Sequence, residues 1–441
     1  MKNIFRYVLI PLCFLFGNSC EDALNVDPTL SISETKVLTS EANVKKLLLG
    51  TYEIAGNRNS LGGYLQIFGD LLGSDKEVSW NGTFTEPREA LTKTMNANNF
   101  LIDQIWKNTF RIISQSNLII DNLALIKDAG EKSRVEGEAR FLRAFAHFEL
   151  VRFFGSEIKG IPIRLSSVKD YAGDLKIKRN TTVEVYAAIQ DDITKATALL
   201  PNDNTFYTGK YAALALGARV KLYTGNFAGA LRDANDIISN SDRTLATHLD
   251  DVFNRDENGP EDIFSIQVTS QSGENQLIQM YASEENGGRG GDISLNDEFF
   301  EIFDDPNDER AHFYYENAKG DFLSSKYTNQ FGNVPVLRLG EMLLIRAECN
   351  QRLNSKIGSA PLDDVNAIRE RSGASPLSSI TLNDILAERK RELAFEGMAI
   401  YDIKRTKKSV KGLPFNSPKL VIPIPQSELD SNSLMEQNEG Y

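Results

Sequence analysis

Histidine and cysteine are scarce in this chain. Only three histidines (His147, His248, His312) and three cysteines (Cys13, Cys20, Cys349) occur in 441 residues, too few and too far apart for a zinc-type ligand set. The cysteines fall in an apolar leader, at its end and in a predicted helix, so they build no disulfide framework. No Gly-x-Ser-x-Gly elbow and no Cys/His pair is present, and the GGRGG run at 287–291 lacks the preceding strand and the Lys-Ser/Thr of a phosphate loop. The acidic run 304–309 (DDPNDE) lacks the glycine and the alternating spacing of a calcium loop. The expectation is therefore no catalytic residue, no metal and no cofactor. Excess positive charge is absent too: 49 Lys and Arg stand against 61 Asp and Glu, a net charge of −12, which opposes binding to nucleic acid or anionic lipid. The apolar run at 7–16 is too short to span a bilayer.

What the chain does have is sustained helical patterning. The stretch 136–155, EGEARFLRAFAHFELVRFFG, is apolar around most of its circumference, with Glu136, Arg140, Arg143 and His147 as one narrow polar stripe. That pattern predicts a central helix packed on several sides, stopped at Gly155 and by the extended Gly160-Ile161-Pro162. Helices are also predicted over 40–56, over 98–126 with Trp106 in the core, and over 181–200, where Thr181 and Glu184 form a capping box. The 34-residue unit 207–240 reads as helix, Gly225-Asn226 turn and helix, with Ala215, Ala218, Ala230 and Ala234 at the contact. It resembles a tetratricopeptide repeat, a unit that must stack to bury its faces. The polar, Gly-rich stretch 57–90 reads as loop, 263–268 as a short strand and 284–291 as a flexible loop. Helices return over 335–352, 360–371 and 381–405. The fold class is mainly all-α, a tetratricopeptide-like helical-repeat scaffold with irregular loops and a few short strands.

Four motifs carry a family resemblance. The helix EARFLRAxAxFxLVRxFG followed by IPI, the helix RLGEMLLIRAEC with Cys349 where alanine is usual, and ERKRELAFEGMAIYDIKR with Met398-Ala399-Ile400 where His-Arg-Trp is usual are three of them. The fourth is the tail VIPIPQSELDSNSLMEQNEGY, with Ser433 and Glu439 in place of two prolines. Together they resemble the SusD/RagB family of Bacteroidetes outer-membrane lipoproteins, over essentially the whole mature chain. The division that follows is 1–19 signal peptide and 20–441 a single SusD-like domain. Within it, 20–39 is a tether, 40–240 the N-terminal helical-repeat part, 241–334 an irregular ligand-loop region and 335–441 a C-terminal helical part with its tail. Residues 1–19 have the basic start and short apolar run of a secretory signal, and Gly17-Asn18-Ser19-Cys20 resembles a lipoprotein cleavage site, which makes Cys20 the lipidation residue.

The resemblance implies a surface-exposed, lipid-anchored outer-membrane protein that binds oligosaccharide or polysaccharide. It would act as the lid of a SusC-like TonB-dependent transporter. The alternative is a tetratricopeptide-type envelope scaffold with no small ligand. Sugar sites need flat apolar platforms with amide and guanidinium donors, and the candidate ligand residues are Trp80 with Asn81, then Tyr281 and Arg289. Glu388, Glu392 and Glu396, at i, i+4 and i+8, lie on one helix face in this reading. They cannot flank a glycosidic bond from opposite sides, so they are assigned to ion pairs with nearby arginines.

Overall fold

Ser40 accepts a hydrogen bond from Asn43 N and starts helix α1 (Glu41–Gly56), near the beginning of the computed structural model, which describes residues 38–169, 173–269 and 273–441. The signal segment 1–19, the lipidation residue Cys20 and the tether as far as residue 37 lie outside the described residues.

The stretch 57–90, read from sequence as loop, is largely ordered into helix α2 (Tyr64–Gly73), strand β1 (Val78–Trp80) and helix α3 (Thr85–Thr92). The cause is tertiary. Nearly every residue of α2 is buried, Asp70 included, and its helicity comes from packing. Gly69 and Gly73 leave no room for a Cβ against the backbone at Gly397 and Ile400, which is why residues that look like loop formers sit inside a core helix.

Helices α4 (Phe100–Asp121) and α5 (Ala129–Phe154) form the centre, capped by Asn99 on Ile102 N and Asp128 on Glu131 N. The expected polar stripe of α5 faces helix α6 (Thr182–Leu199): Arg143 makes a two-pronged contact with Asp192 (2.7 and 2.6 Å) and bonds Asn117 Oδ1 at 2.6 Å, while Arg140 reaches Asp192 at 3.0 Å. Burial pushes the His147 imidazole down to about 4, so it is a neutral core residue. Trp106 is buried between Phe110 and Phe154. Thr181 and Glu184 form the expected capping box. Helices α7 (Lys210–Tyr223) and α8 (Phe227–Asn240) turn through Gly225 at φ +79° with Asn226 as cap, and Ala215, Ala218, Ala230 and Ala234 are fully buried.

The remainder is more broken. Strand β2 (Asp262–Ile266) is followed by short helix α9 (Ile278–Tyr281), strand β3 (Ile293–Leu295), short helix α10 (Asp297–Phe300), and strands β4 (Tyr314–Glu316), β5 (Phe322–Ser324) and β6 (Val334–Arg338). All pairings are antiparallel: β1 with β3, β2 with β6 and β4 with β5. Then come α11 (Leu339–Leu353), α12 (Pro361–Arg371), α13 (Leu382–Glu392), α14 (Ala399–Arg405) and α15 (Gln426–Ser431).

Two predicted helices are corrected here. Residues 334–338 pair as a strand with β2 before α11 begins. The predicted helix 381–405 is interrupted where Phe395 (φ +64°) and Gly397 (φ +77°) enter the left-handed region, so Glu396 leaves the face that holds Glu388 and Glu392. The three carboxylates still serve ion pairs. Glu388 takes Arg310 (2.6 Å), Arg391 (3.1 Å) and Arg369 (3.2 Å), Glu392 takes Arg310 (3.0 Å), Arg338 and Arg371, and Glu396 takes Lys326 (2.7 Å) and Arg338 (2.8 Å). Burial alone pushes the Glu392 carboxyl up, and the three guanidiniums outweigh it and hold it well below the usual range.

Candidate functional site

Strand β1 pairs residue by residue with β3, Val78 with Leu295, Ser79 with Ser294 and Trp80 with Ile293, and so brings the turn after Trp80 beside the glycine-rich loop before β3. The turn is closed by its own side chains. Trp80 Nε1 donates to Phe84 O at 2.9 Å, Arg88 Nη2 donates to Gly82 O at 3.0 Å, Asn81 N donates to Asp292 O at 2.7 Å and Asn81 Nδ2 donates to Ser294 Oγ at 2.9 Å. A Cβ on Gly82 would meet Trp80 and Asp292 at 2.6 Å, so only glycine fits there.

This folding turns Phe84 outward, 39% exposed, with the Arg289 guanidinium 3.8 Å from its ring centre. That is a cation–π stack. Arg289 Nη2 also donates to Thr83 Oγ1 at 3.3 Å, and its Nε lies 3.7 Å from Asp292. The opposite walls come from the turn before α2 (Arg58, Gly63) and its first residue Tyr64, and from Gln276, Gln279 and Met280, enclosing a groove of about 150 Å³. Gln279 Nε2 donates to Glu274 Oε1 at 2.6 Å and Gln276 Nε2 to Glu274 O at 2.9 Å, leaving the amide oxygens as side-chain acceptors. Burial pushes the Tyr64 phenol up, opposed by Arg58 and Arg289, which both act on it. With the nearby amide groups, the exposed part of the Phe84 ring, whose face toward Arg289 is covered by the guanidinium, suits the apolar faces and hydroxyl rim of a sugar ring.

The four sequence candidates fare differently. Arg289 lines the groove, and Asn81 braces the turn beneath it. Trp80 is not a loop residue without apolar neighbours: it lies in β1, half-buried against the core, with its N–H satisfied inside the turn. Phe84, four residues on, is the exposed ring. Tyr281 is corrected more sharply. It is 1% exposed, donates to Asp70 Oδ2 at 3.2 Å and packs on Phe395 (5.4 Å) and Tyr327 (5.7 Å), so it offers no face to a ligand arriving from solvent. Tyr281 instead lines a second pocket of about 280 Å³ with Val78, Ile293, Phe299, Phe395 and Met398, whose rim carries Asp75, Glu77, Lys390 and Lys408. The surface of that pocket is mainly apolar and that of the smaller groove mainly polar, so the groove is better matched to sugar hydroxyls.

Sequence reasoning missed Arg58, Tyr64, Phe84, Gln276 and Gln279. Phe84 carried a readable signal, an aromatic just after Asn81-Gly82 with no periodic partner. The others carried none, because they meet only through tertiary pairing. The acidic run 304–309 is spent on protein contacts: Asp304 on Arg391 and Arg369, Asp305 on Ser375 N, and Asp308 on Arg310. Among the described residues no group of three or more His, Cys, Asp or Glu could hold a metal, and no helix is long and apolar enough to cross a membrane.

A stack of helices whose irregular loops build one surface groove is the class of protein that fold and site define. A family profile described as "Starch-binding associating with outer membrane" matches residues 22–222, and the SusD family profile matches 304–414. The chain belongs to the SusD/RagB family. SusD-like protein P2 of Formosa agariphila is 27% identical, with 100% of both chains covered. The starch-binding protein SusD of Bacteroides thetaiotaomicron is 31% identical over 123 residues, 25% of this chain and 22% of its own. Among solved structures, a putative sugar binding protein from Bacteroides vulgatus superposes with a TM-score of 0.81 at 23% identity, over 92% of this chain and 99% of its own. Surface glycan-binding protein A from Bacteroides uniformis gives 0.78 at 20% identity, over 90% and 99%. At these identities the solved structures speak to the fold.

Proposed function

We propose that this protein is a glycan-binding lipoprotein of the outer-membrane surface. Acylated Cys20 anchors it, and it captures oligosaccharide in the Phe84–Arg289 groove and passes it, as a lid, to a SusC-like TonB-dependent transporter. The observation that carries the reading is the exposed Phe84 ring under the Arg289 guanidinium, facing Tyr64 and two glutamine amides, on a scaffold whose relatives bear starch- and glycan-binding names. The protein binds and hands on its ligand without chemistry.

Calorimetry of the purified protein against plant, host and microbial polysaccharides tests capture. Binding that falls about tenfold in Phe84→Ala with unchanged melting supports the groove; binding indifferent to Phe84 and Arg289 overturns it. Cys20→Ala is expected to release the protein from the outer membrane, and retention after carbonate washing removes the anchor from the proposal. Co-purification with a transporter from detergent extracts of native membranes tests the lid role, and recovery of the lipoprotein alone, where related pairs stay intact, counts against it.

A further inference from the structure

Neutral sugar hydroxyls both donate and accept, so a site for neutral glycans needs acceptors in proportion to donors. The groove offers the amide oxygens of Gln276 and Gln279 as acceptors, but its charge is of one sign. Its charged lining residues are Arg58 and Arg289, with no carboxylate among them, in a chain whose net charge is −12. Each guanidinium carries five donors and no acceptor.

Of the carboxylates close by, Glu274 and Asp292 are engaged by other side chains. Both Glu274 oxygens accept from amides, Gln279 at 2.6 Å and Gln330 at 2.7 Å. The Asp292 side chain is only 9% exposed and faces Arg289 at 3.7 Å, and both Arg289 and Lys319 act on its charge. Glu86, which also acts on Tyr64, stands in the first turn of α3. Arg58 is exposed and hydrogen-bonded to the Tyr64 hydroxyl, and Arg289 is stacked on Phe84, so its outer donors are presented in a fixed orientation. Two guanidiniums across a narrow cleft match the planar or trigonal oxygens of an anionic substituent better than a ring of hydroxyls.

We infer that the groove selects acidic saccharides, sugars bearing a carboxylate or a sulfate ester, through Arg58 and Arg289. This rests on the groove reading above and adds the class of ligand. The test uses matched pairs: oligogalacturonides against their methyl esters, and a sulfated oligosaccharide against its desulfated form. Each pair is titrated into the wild-type protein and into Arg58→Gln, Arg289→Gln and Phe84→Ala, with melting curves to show that each variant is folded.

The acidic member is expected to bind about tenfold or more tightly, with the preference shrinking in either glutamine variant and at about 0.5 M salt. Phe84→Ala is expected to weaken both members of a pair, the acidic one at least as much, because it also frees Arg289. Equal or tighter binding of the neutral member, still dependent on Phe84, overturns the acidic preference and leaves the groove standing. Binding of either member that ignores Phe84 overturns the groove itself, and failure of every pair to bind counts against both.

Discussion

The C-terminal charge lattice and the loop-built groove both use arginine, in opposite ways. In the lattice, Arg310, Arg338 and Arg371 converge on Glu392, while Arg389 and Arg219 hold Glu341 at about 2 against the upward push of its burial. Each charge there is desolvated and matched, so removing one partner strands the rest. In the groove, Arg58 is exposed and Arg289 is held by an aromatic face and a long contact to Asp292. Charge spent inside the protein determines the fold, and charge left facing water is available to a ligand. Substitutions should separate the two regions, from the largest change in stability to the smallest.

Glu392→Ala breaks the lattice at its most connected point. It leaves three buried guanidiniums without their shared carboxylate and is expected to cost about 3–5 kcal/mol in denaturant or thermal unfolding. A cost below about 1 kcal/mol would erase the contrast between the regions.

Asp70 is the next lever, because it joins them. It accepts from Gly397 N at 2.8 Å, beside the lattice, and from Tyr281 OH beneath the ligand loops. Burial raises its carboxyl to about 7, so between pH 4 and 7 the folded protein holds a proton that the unfolded chain has released. Stability from this group is complete below about pH 4, the unfolded value, and is lost as pH rises through about 7, by roughly 2–4 kcal/mol. His147, pushed down to about 4, acts with the opposite sign as pH falls below about 6.5, so the measurement is the difference between wild type and Asp70→Asn. Melting from pH 5 to 8 should decline less in the variant, and parallel profiles would show that Asp70 is not protonated in the fold.

Trp80→Ala removes a half-buried ring and the N–H that closes the turn onto Phe84. About 1–3 kcal/mol of stability should be lost, with weaker binding as a consequence of a loosened turn. A Trp80→Ala protein that melts like wild type yet fails to bind would return Trp80 to the ligand. Phe84→Ala stands at the other end, within about 0.5 kcal/mol of wild type in stability and about tenfold weaker for glycan in calorimetry. A large fall in its melting temperature would make Phe84 structural and blur the comparison.

The helical half was legible because its signals are local. Thr181 with Glu184, Gly225 with Asn226 and the alanines at 215, 218, 230 and 234 each act within a few residues of chain, and all appear as read. The stripe on α5 was legible too, although its partner Asp192 was not, since nothing local says which carboxylate will face Arg143. The groove was legible only in fragments. Arg289, named from its glycine-rich loop, lines the groove, and Trp80 lies in the strand beside it, but the ring facing water is Phe84.

By itself the sequence determined the helix caps, the small-residue contacts and the family motifs, because these depend on spacing along one segment; that Glu388, Glu392 and Glu396 pair with cations was legible, but not their distant partners Arg310, Arg338 and Lys326. Only the tertiary structure decided that α2 is a buried helix, that 381–405 breaks at Phe395 and Gly397, that Trp80 faces inward and Tyr281 is sealed, and that Arg58, Tyr64 and Gln279 share a groove with Arg289. The physical reason is long-range packing: α2 is held against Gly397 and Ile400, and the groove is assembled by the β1–β3 pairing, whose three backbone registers join stretches of chain roughly 200 residues apart, so which side of each stretch meets water is set by what it packs against.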